Sequence, residues 1–368
     1  MLARVTTAFA AGLLICSGAL RLTDRELDRG TVRNKLTHFA EHVGEYDTLF
    51  FGSSRMYRQV IPEVFDEVTA GHGIYTNTFN FGVDGMFAPE DGYVAEQIFA
   101  LKPKLRWVFI EVSLFQAAHA EQNAGSARAV YWHDFRRTWL VCRELWSDLK
   151  PFRWKDRGKR IPEYLEWLDR CLVHLEACGR RSFQLGRGSA AWEALASRNG
   201  PPVVPGVSLG KRRDGFVPVE RPNGMTAFDL AEWDRQFGRL KAKRARRKPL
   251  SEPAQENLEG ILRLVRASGA MPALVIAPTT APITFVPRRD VDAPLLDFSL
   301  LEEWPVFFEK KYRVDVAHLN AAGGEIYTRF IAQRWLAHLA EGREIETAAE
   351  LEERSRGASS LDERKSTP

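Results

Sequence analysis

A rhythm of apolar runs alternating with helical stretches limits this chain more than any other feature of its sequence. TLFFGSS (48–54) and WVFIEVS (107–113) are near-continuous apolar runs that end in small or polar residues. Such runs suit strands buried on both faces, as in a parallel sheet, better than half-solvated antiparallel strands. NTFNFG (77–82) reads as another strand. Between them, Ile61 to Ala70, with Pro62 in its first turn, and Pro89 to Leu101 read as helices. Much later, Glu252 to Ser268 is amphipathic and stopped by Gly269, PALVIAP (272–278) is a fourth strand, and a last helix runs from about Ala321 to Ala340. The alternation predicts an α/β fold, a mostly parallel sheet with helices on both faces.

Between the third and fourth strands the rhythm breaks. Residues 126–250 carry 27 Lys/Arg against 14 Asp/Glu, whereas the remainder carries 25 against 34. A basic block so distinct, Trp-rich and helical in its first half (RTWLVCRELW, YLEWLDRCLVHLEAC) and loop-like in its second (PPVVPG, KRRDGF, RPNGM), reads as an insertion in the α/β domain. With 45% apolar residues in 368, the chain can bury a sizeable core. Its four cysteines form no disulfide scaffold: Cys171 and Cys178, two helical turns apart at roughly 10 Å, exceed the roughly 7 Å limit for a bridge. No CxxC pair points to a zinc ribbon.

Val5 to Leu20 form a 16-residue apolar run behind Arg4, short for a span of about 20 residues and nearer to a signal-peptide core. Ser17-Gly18-Ala19 would serve as a cleavage site. The basic residues that follow (Arg21, Arg25, Arg29, Arg33, Lys35) are the kind normally kept cytoplasmic, and a buried N-terminal helix is the bland alternative. The organisation expected is a signal peptide or membrane anchor at 1–22, an α/β domain in two halves (23–125 and 251–342, the first opening on a polar helical linker at 23–45), the insertion at 126–250, and a charged, disordered tail at 343–368.

Two short segments carry chemistry. In FFGSSRM, Ser54 stands at the C-terminal end of the first strand, where open α/β sheets bind ligands; the bland reading of Gly52-Ser53-Ser54 is a turn. In DVAHLN (315–320), Asp315 and His318 can meet one nucleophile from a single loop; the bland reading is a helix cap at Asn320 beside two solvated residues.

With NFGVDG (80–85) after the second strand, these segments resemble the SGNH (GDSL) hydrolase superfamily. The resemblance covers about 46–115 and 252–340 and leaves the basic block unexplained. It implies a flavodoxin-like three-layer fold, Ser54 as nucleophile, and Asp315 and His318 as its relay partners. It also implies an oxyanion hole from the N–H groups of Ser54 and Gly85, with Gly52 and Asn80 in support. The chemistry implied is acyl transfer without cofactor or metal, by an extracytoplasmic esterase acting on an acyl ester, such as an O-acylated envelope carbohydrate. An N-terminal apolar segment before such a domain looks like the layout of bacterial polysaccharide acetylation and teichoic-acid D-alanylation proteins. An O-acyltransferase working with a membrane acyltransferase partner is therefore the alternative, and an inactive scaffold binding a partner the non-enzymatic one.

One departure bears on activity. The family places an asparagine after strand three, but here the strand ends EVSLFQ, with only Glu111, Ser113 and Gln116 as polar residues. Losing one oxyanion donor typically costs about 2.7–4 kcal/mol of barrier. A weak enzyme, a transferase with another donor and an inactive descendant all follow from that loss. Three further motifs take bland readings. His38-Phe39-Ala40-Glu41-His42 fits a zinc pattern but lacks an evident third ligand and lies in a linker. KAKRARRK (241–248) has the charge to bind nucleic acid or anionic lipid, but a solvated basic linker is the commoner reading of such a run. The tryptophans at 139, 146, 154 and 167 read as insertion core sooner than as a sugar-stacking platform, although aromatics beside a sugar site would look the same in sequence.

Overall fold

The computed structural model describes residues 2–22, 30–116, 127–147, 149, 156–185, 208–219, 221, 224–243 and 246–341. The tail at 343–368, the PPVVPG segment and Trp154 lie outside the described residues. Five strands form one parallel sheet in the order β2-β1-β3-β5-β7. They are β1 (Thr48–Gly52), β2 (Thr78–Gly82), β3 (Trp107–Glu111), β5 (Met271–Ile276) and β7 (Leu295–Asp297). The first three are buried at every residue. β4 (Arg246–Pro249) and β6 (Ile283–Val286) pair in parallel as a separate small sheet.

Alternation along each strand assigns its side chains to two layers. Leu49, Phe51, Val108, Ile110, Leu274 and Ile276 face one core, and Phe50, Phe109, Ala273 and Val275 face the other. The helices, in chain order, are α1 (Leu2–Leu22), α2 (Thr31–Glu41), α3 (Ser54–Tyr57), α4 (Pro62–Ala70), α5 (Glu90–Ala100), α6 (Ala127–Trp132), α7 (Phe135–Ser147), α8 (Arg157–Phe183), α9 (Ala227–Lys243), α10 (Glu252–Ala267) and α11 (321–341). Helices α2, α5 and α10 cover the first core through Phe39, Val94, Ile98, Leu258, Ile261 and Val265. Helices α4, α9 and α11 cover the second, where Phe50 stacks on Phe109 at 4.5 Å and Trp335 meets Phe109 edge-on. The chain is thus a mixed α/β fold with a parallel sheet flanked by helices on both faces.

Several local expectations change. Strand β1 stops at Gly52, because Ser53 and Ser54 turn into α3, and β3 stops at Glu111. The short edge strand β7 lacked the length and apolar run that would have marked it. From residue 30 onward the polar linker is no linker: α2 drives Phe39 and Lys35, both fully buried, against β2, while residues 23–29 lie outside the described residues. At its described side chains the basic run is solvent-exposed as expected, but it is no linker: residues 241–243 end α9, and residues 246–248 belong to β4, exposed at every residue, where Arg247 pairs with Asp297 at 2.7 Å. Residues 244 and 245 lie outside the described residues. Trp139 and Trp146 are not insertion core but 58% and 51% exposed, whereas Trp167 is half-buried and donates to the Cys142 carbonyl. Helix α1 rests on the end of α8, where Ser17 Oγ donates to the Ser182 carbonyl. Among the described residues no helix is long and apolar enough to cross a membrane.

Candidate active site

Each residue of GSSR at the end of β1 has a separate local reason. A Cβ at Gly52 would lie 2.5 Å from Glu111 Cβ and 2.6 Å from its carboxylate, so only glycine fits beside strand three. Ser53 is extended and caps α3, its hydroxyl accepting from the Arg55 N–H. Ser54 then begins the helix with its side chain at the C-terminal edge of the sheet.

The partners of Ser54 arrive from residues 315–318. His318 Nε2 lies 2.8 Å from Ser54 Oγ, and His318 Nδ1 lies 2.9 and 3.0 Å from the two oxygens of Asp315. Asp315 Oδ1 also accepts from the backbone N–H groups of Ala317 and His318, each at 2.7 Å. Burial pushes the Asp315 carboxyl up, but the hydrogen bond and charge of His318, with those two N–H groups, outweigh it and hold the pKa below the ordinary value. The loop is pinned from beneath by Arg313, fully buried, which donates to the carbonyls of Phe307 and Val316. Burial, more than the nearby Arg55 charge, lowers the Arg313 pKa to about 10. Thr280 Oγ1 donates to the Val316 carbonyl and Gln59 to that of Ala317. Ser54, distant in sequence from Asp315 and His318, therefore forms one hydrogen-bonded chain with them. No protein-family model matches the protein, and no curated protein matches it.

Gly85 follows β2 with φ +63, a backbone conformation that favours glycine. Its loop is held on both sides: Arg58 Nε donates to Asp84 Oδ1 at 3.0 Å, and Arg128 donates to the Asp84 carbonyl at 2.7 Å. Among the described residues, neither the Gly85 nor the Ser54 N–H has a hydrogen-bond partner. Asn80 is placed one step back from the chemistry. Its buried amide donates to the carbonyls of Met56 and Val60 and accepts from the Gly82 N–H, tying the helix after Ser54 to β2.

Residues that the sequence did not single out complete this edge. Lys35 Nζ donates to the carbonyls of Asn80, Gly82 and Gly215 at 2.7–2.8 Å and lies over the Tyr57 ring. Burial, and then Arg58, press its pKa well down. The Asn80 N–H meanwhile donates to the Asp214 carbonyl, so a loop of the insertion and one ammonium together close the free edge of β2. The usable signal was α2 itself, where Val32, Lys35, His38 and Phe39 share the buried face of an otherwise polar helix. Glu111 was legible only as a charge at the end of an apolar run.

His38, Glu41 and His42 have ligand atoms within 4.8 Å of one another, so Glu41 supplies the third group that the sequence left unidentified. Both nitrogens of His38 are already engaged, by the Tyr46 hydroxyl at 3.1 Å and by Arg213 at 3.5 Å, while His42 Nδ1 faces the His38 carbonyl. An arginine cation beside the cluster opposes a metal; His38 packs against Phe79 of β2, whereas Glu41 is exposed.

Proposed function

We propose that this protein is an SGNH-type serine esterase that transfers an acyl group from an ester through Ser54. The observation that carries the reading is His318, held between Ser54 Oγ and the Asp315 carboxylate. His318 Nε2 takes the hydroxyl proton as Ser54 attacks the ester carbonyl. Asp315 fixes the tautomer with the proton on Nδ1 and stabilises the imidazolium. The oxyanion is received by the N–H groups of Ser54 and Gly85, which are free to donate. His318 returns its proton to the leaving alkoxide, and water repeats the sequence to release the acid. The sheet order supports a flavodoxin-like SGNH fold, since the large sheet runs 2-1-3-4-5 when its own strands are counted in sequence.

The substrate class proposed is an acyl ester, with an O-acylated envelope carbohydrate first among them, outside the cytoplasm. The exposed Val5, Phe9, Leu14 and Ile15 of α1 support membrane contact through that helix. The test is hydrolysis of p-nitrophenyl acetate and labelling by a fluorophosphonate probe, with Ser54→Ala as control. Both signals are expected in the wild type and neither in the variant. Labelling without hydrolysis would move the reading to an O-acyltransferase awaiting an acceptor and its membrane acyltransferase partner. Neither signal would leave an inactive scaffold.

A further inference from the structure

Glu111 ends β3 where the resemblance would call for an asparagine nearby. Its side chain is fully buried, and its two oxygens go to the two neighbours of Ser54. Oε2 accepts from the Ser53 N–H at 2.6 Å, and Oε1 pairs with Arg55 Nε at 2.7 Å. Gly52 leaves the space that the carboxylate fills. Residues 52, 53 and 55 are thus all in contact with one side chain from the adjacent strand, and the residue between them is the nucleophile.

Resting on the acyl-transfer reading, we propose that Glu111 is a positioning residue that fixes Ser54 by holding the residues on either side of it. The physical case is the geometry of the turn. Ser54 stands on a four-residue helix, α3, which is too short to be rigid by itself. The Ser53 N–H would otherwise lack an acceptor in a buried turn, and a charge-assisted bond there is about twice as strong as a neutral one. The Arg55 contact adds a second point of attachment beyond the nucleophile, so the Ser54 backbone cannot swing without breaking one or the other. Glu111 need not touch the substrate to matter, because a displacement of about 1 Å at a reacting group can cost about 10²-fold in rate. The Cβ and the carboxylate of Glu111 together leave no room for a side chain at Gly52, so glycine, not merely a small residue, opens this motif.

The experiment uses the full chain with p-nitrophenyl acetate and the fluorophosphonate probe, beside a thermal melt of each variant. Glu111→Ala removes both contacts and is expected to lower kcat and the labelling rate of Ser54 by about 10²-fold, with KM little changed. Glu111→Gln keeps an oxygen for the Ser53 N–H and is expected to recover most of that loss. Because Glu111→Ala also strips Arg55 of its counter-ion and could unfold the chain, Glu111→Gln/Arg55→Met removes both charges and retains the acceptor. It should label close to the Glu111→Gln rate. Wild-type labelling rates in a folded Glu111→Ala variant, or glutamine variants as slow as alanine, would overturn the positioning role alone. A wild type that neither hydrolyses nor labels would instead remove the acyl-transfer reading, and this inference with it.

Discussion

The sheet edge around Ser54 and the helical hairpin of α7 and α8 treat polar and apolar groups in opposite ways. At the sheet edge, charges are withdrawn from solvent and partnered: buried Glu111 with Ser53 and Arg55, buried Lys35 with three carbonyls, and half-buried Asp315 with His318. On the outer face of the hairpin apolar groups are exposed, although Val141, Leu145 and Cys171 on its inner face are buried. Ile161, Leu165, Leu168, Leu172 and Leu175, spaced alternately by four and three, form an exposed stripe along α8, next to exposed Phe135, Trp139 and Trp146 on α7. The hairpin's ion pairs include short-range ones within a helix, such as Arg180 with Glu176, beside others that tie α7 to α5 and α10, through Arg137 with Glu96 and Arg143 with Glu256. Among its buried polar groups, beside Arg137 and Thr138 on α7, is His174, whose Nδ1 lies 3.0 Å from Nε2 of His133, just before α7. The sheet edge therefore depends on long-range polar contacts whose loss leaves buried groups unpaired, whereas the outer face of the hairpin contributes little to folding.

The contrast should be sharpest for Lys35→Met. The substitution leaves three buried carbonyls without a donor at the edge of β2, and should cost roughly 3–6 kcal/mol in a urea titration. A loss below 1 kcal/mol would mean that the β2 edge holds without it. The hairpin's own buried polar pair gives the next effect. Burial, and then Arg170, push the His174 pKa down to about 4. The unfolded chain thus binds a proton near pH 6.5 that the folded chain refuses until about pH 4. Stability from this group is fully present above pH 6.5 and falls by up to about 3 kcal/mol as pH drops towards 4. His174→Leu should flatten that part of the stability profile, and an unchanged slope would show that the pair is not the titrating group. The smallest effect belongs to the stripe. Leu168→Glu and Leu172→Glu should each change stability by no more than about 0.5 kcal/mol, as at an open surface. A loss of about 2–5 kcal/mol, the range for a core leucine, would mean that this face is covered in solution.

Much of the scaffold was legible because it rests on local pattern. Continuous apolar runs at 48–52 and 107–111 had to be buried on both faces, and so required a parallel sheet with helices on either side. The pairing of Asp315 with His318 was legible in DVAHLN because the two sit three apart in one loop and orient each other. The exposure of Trp139 and Trp146 was not legible, since an aromatic at helical spacing looks the same whether a neighbouring helix covers it or not.

The sequence by itself determined the buried strands and the residue types at their ends, through side-chain period and the steric demands of turns. Only the tertiary structure decided that His318, 264 positions away, lies against Ser54, that Glu111 takes up the space left by Gly52, and that Lys35 closes the β2 edge. The reason is that a lone charge has no preferred partner until the backbone brings donors and acceptors together. Whether Glu111, Lys35 or Arg313 is solvated or buried depends on contacts between strands and loops that no local pattern encodes.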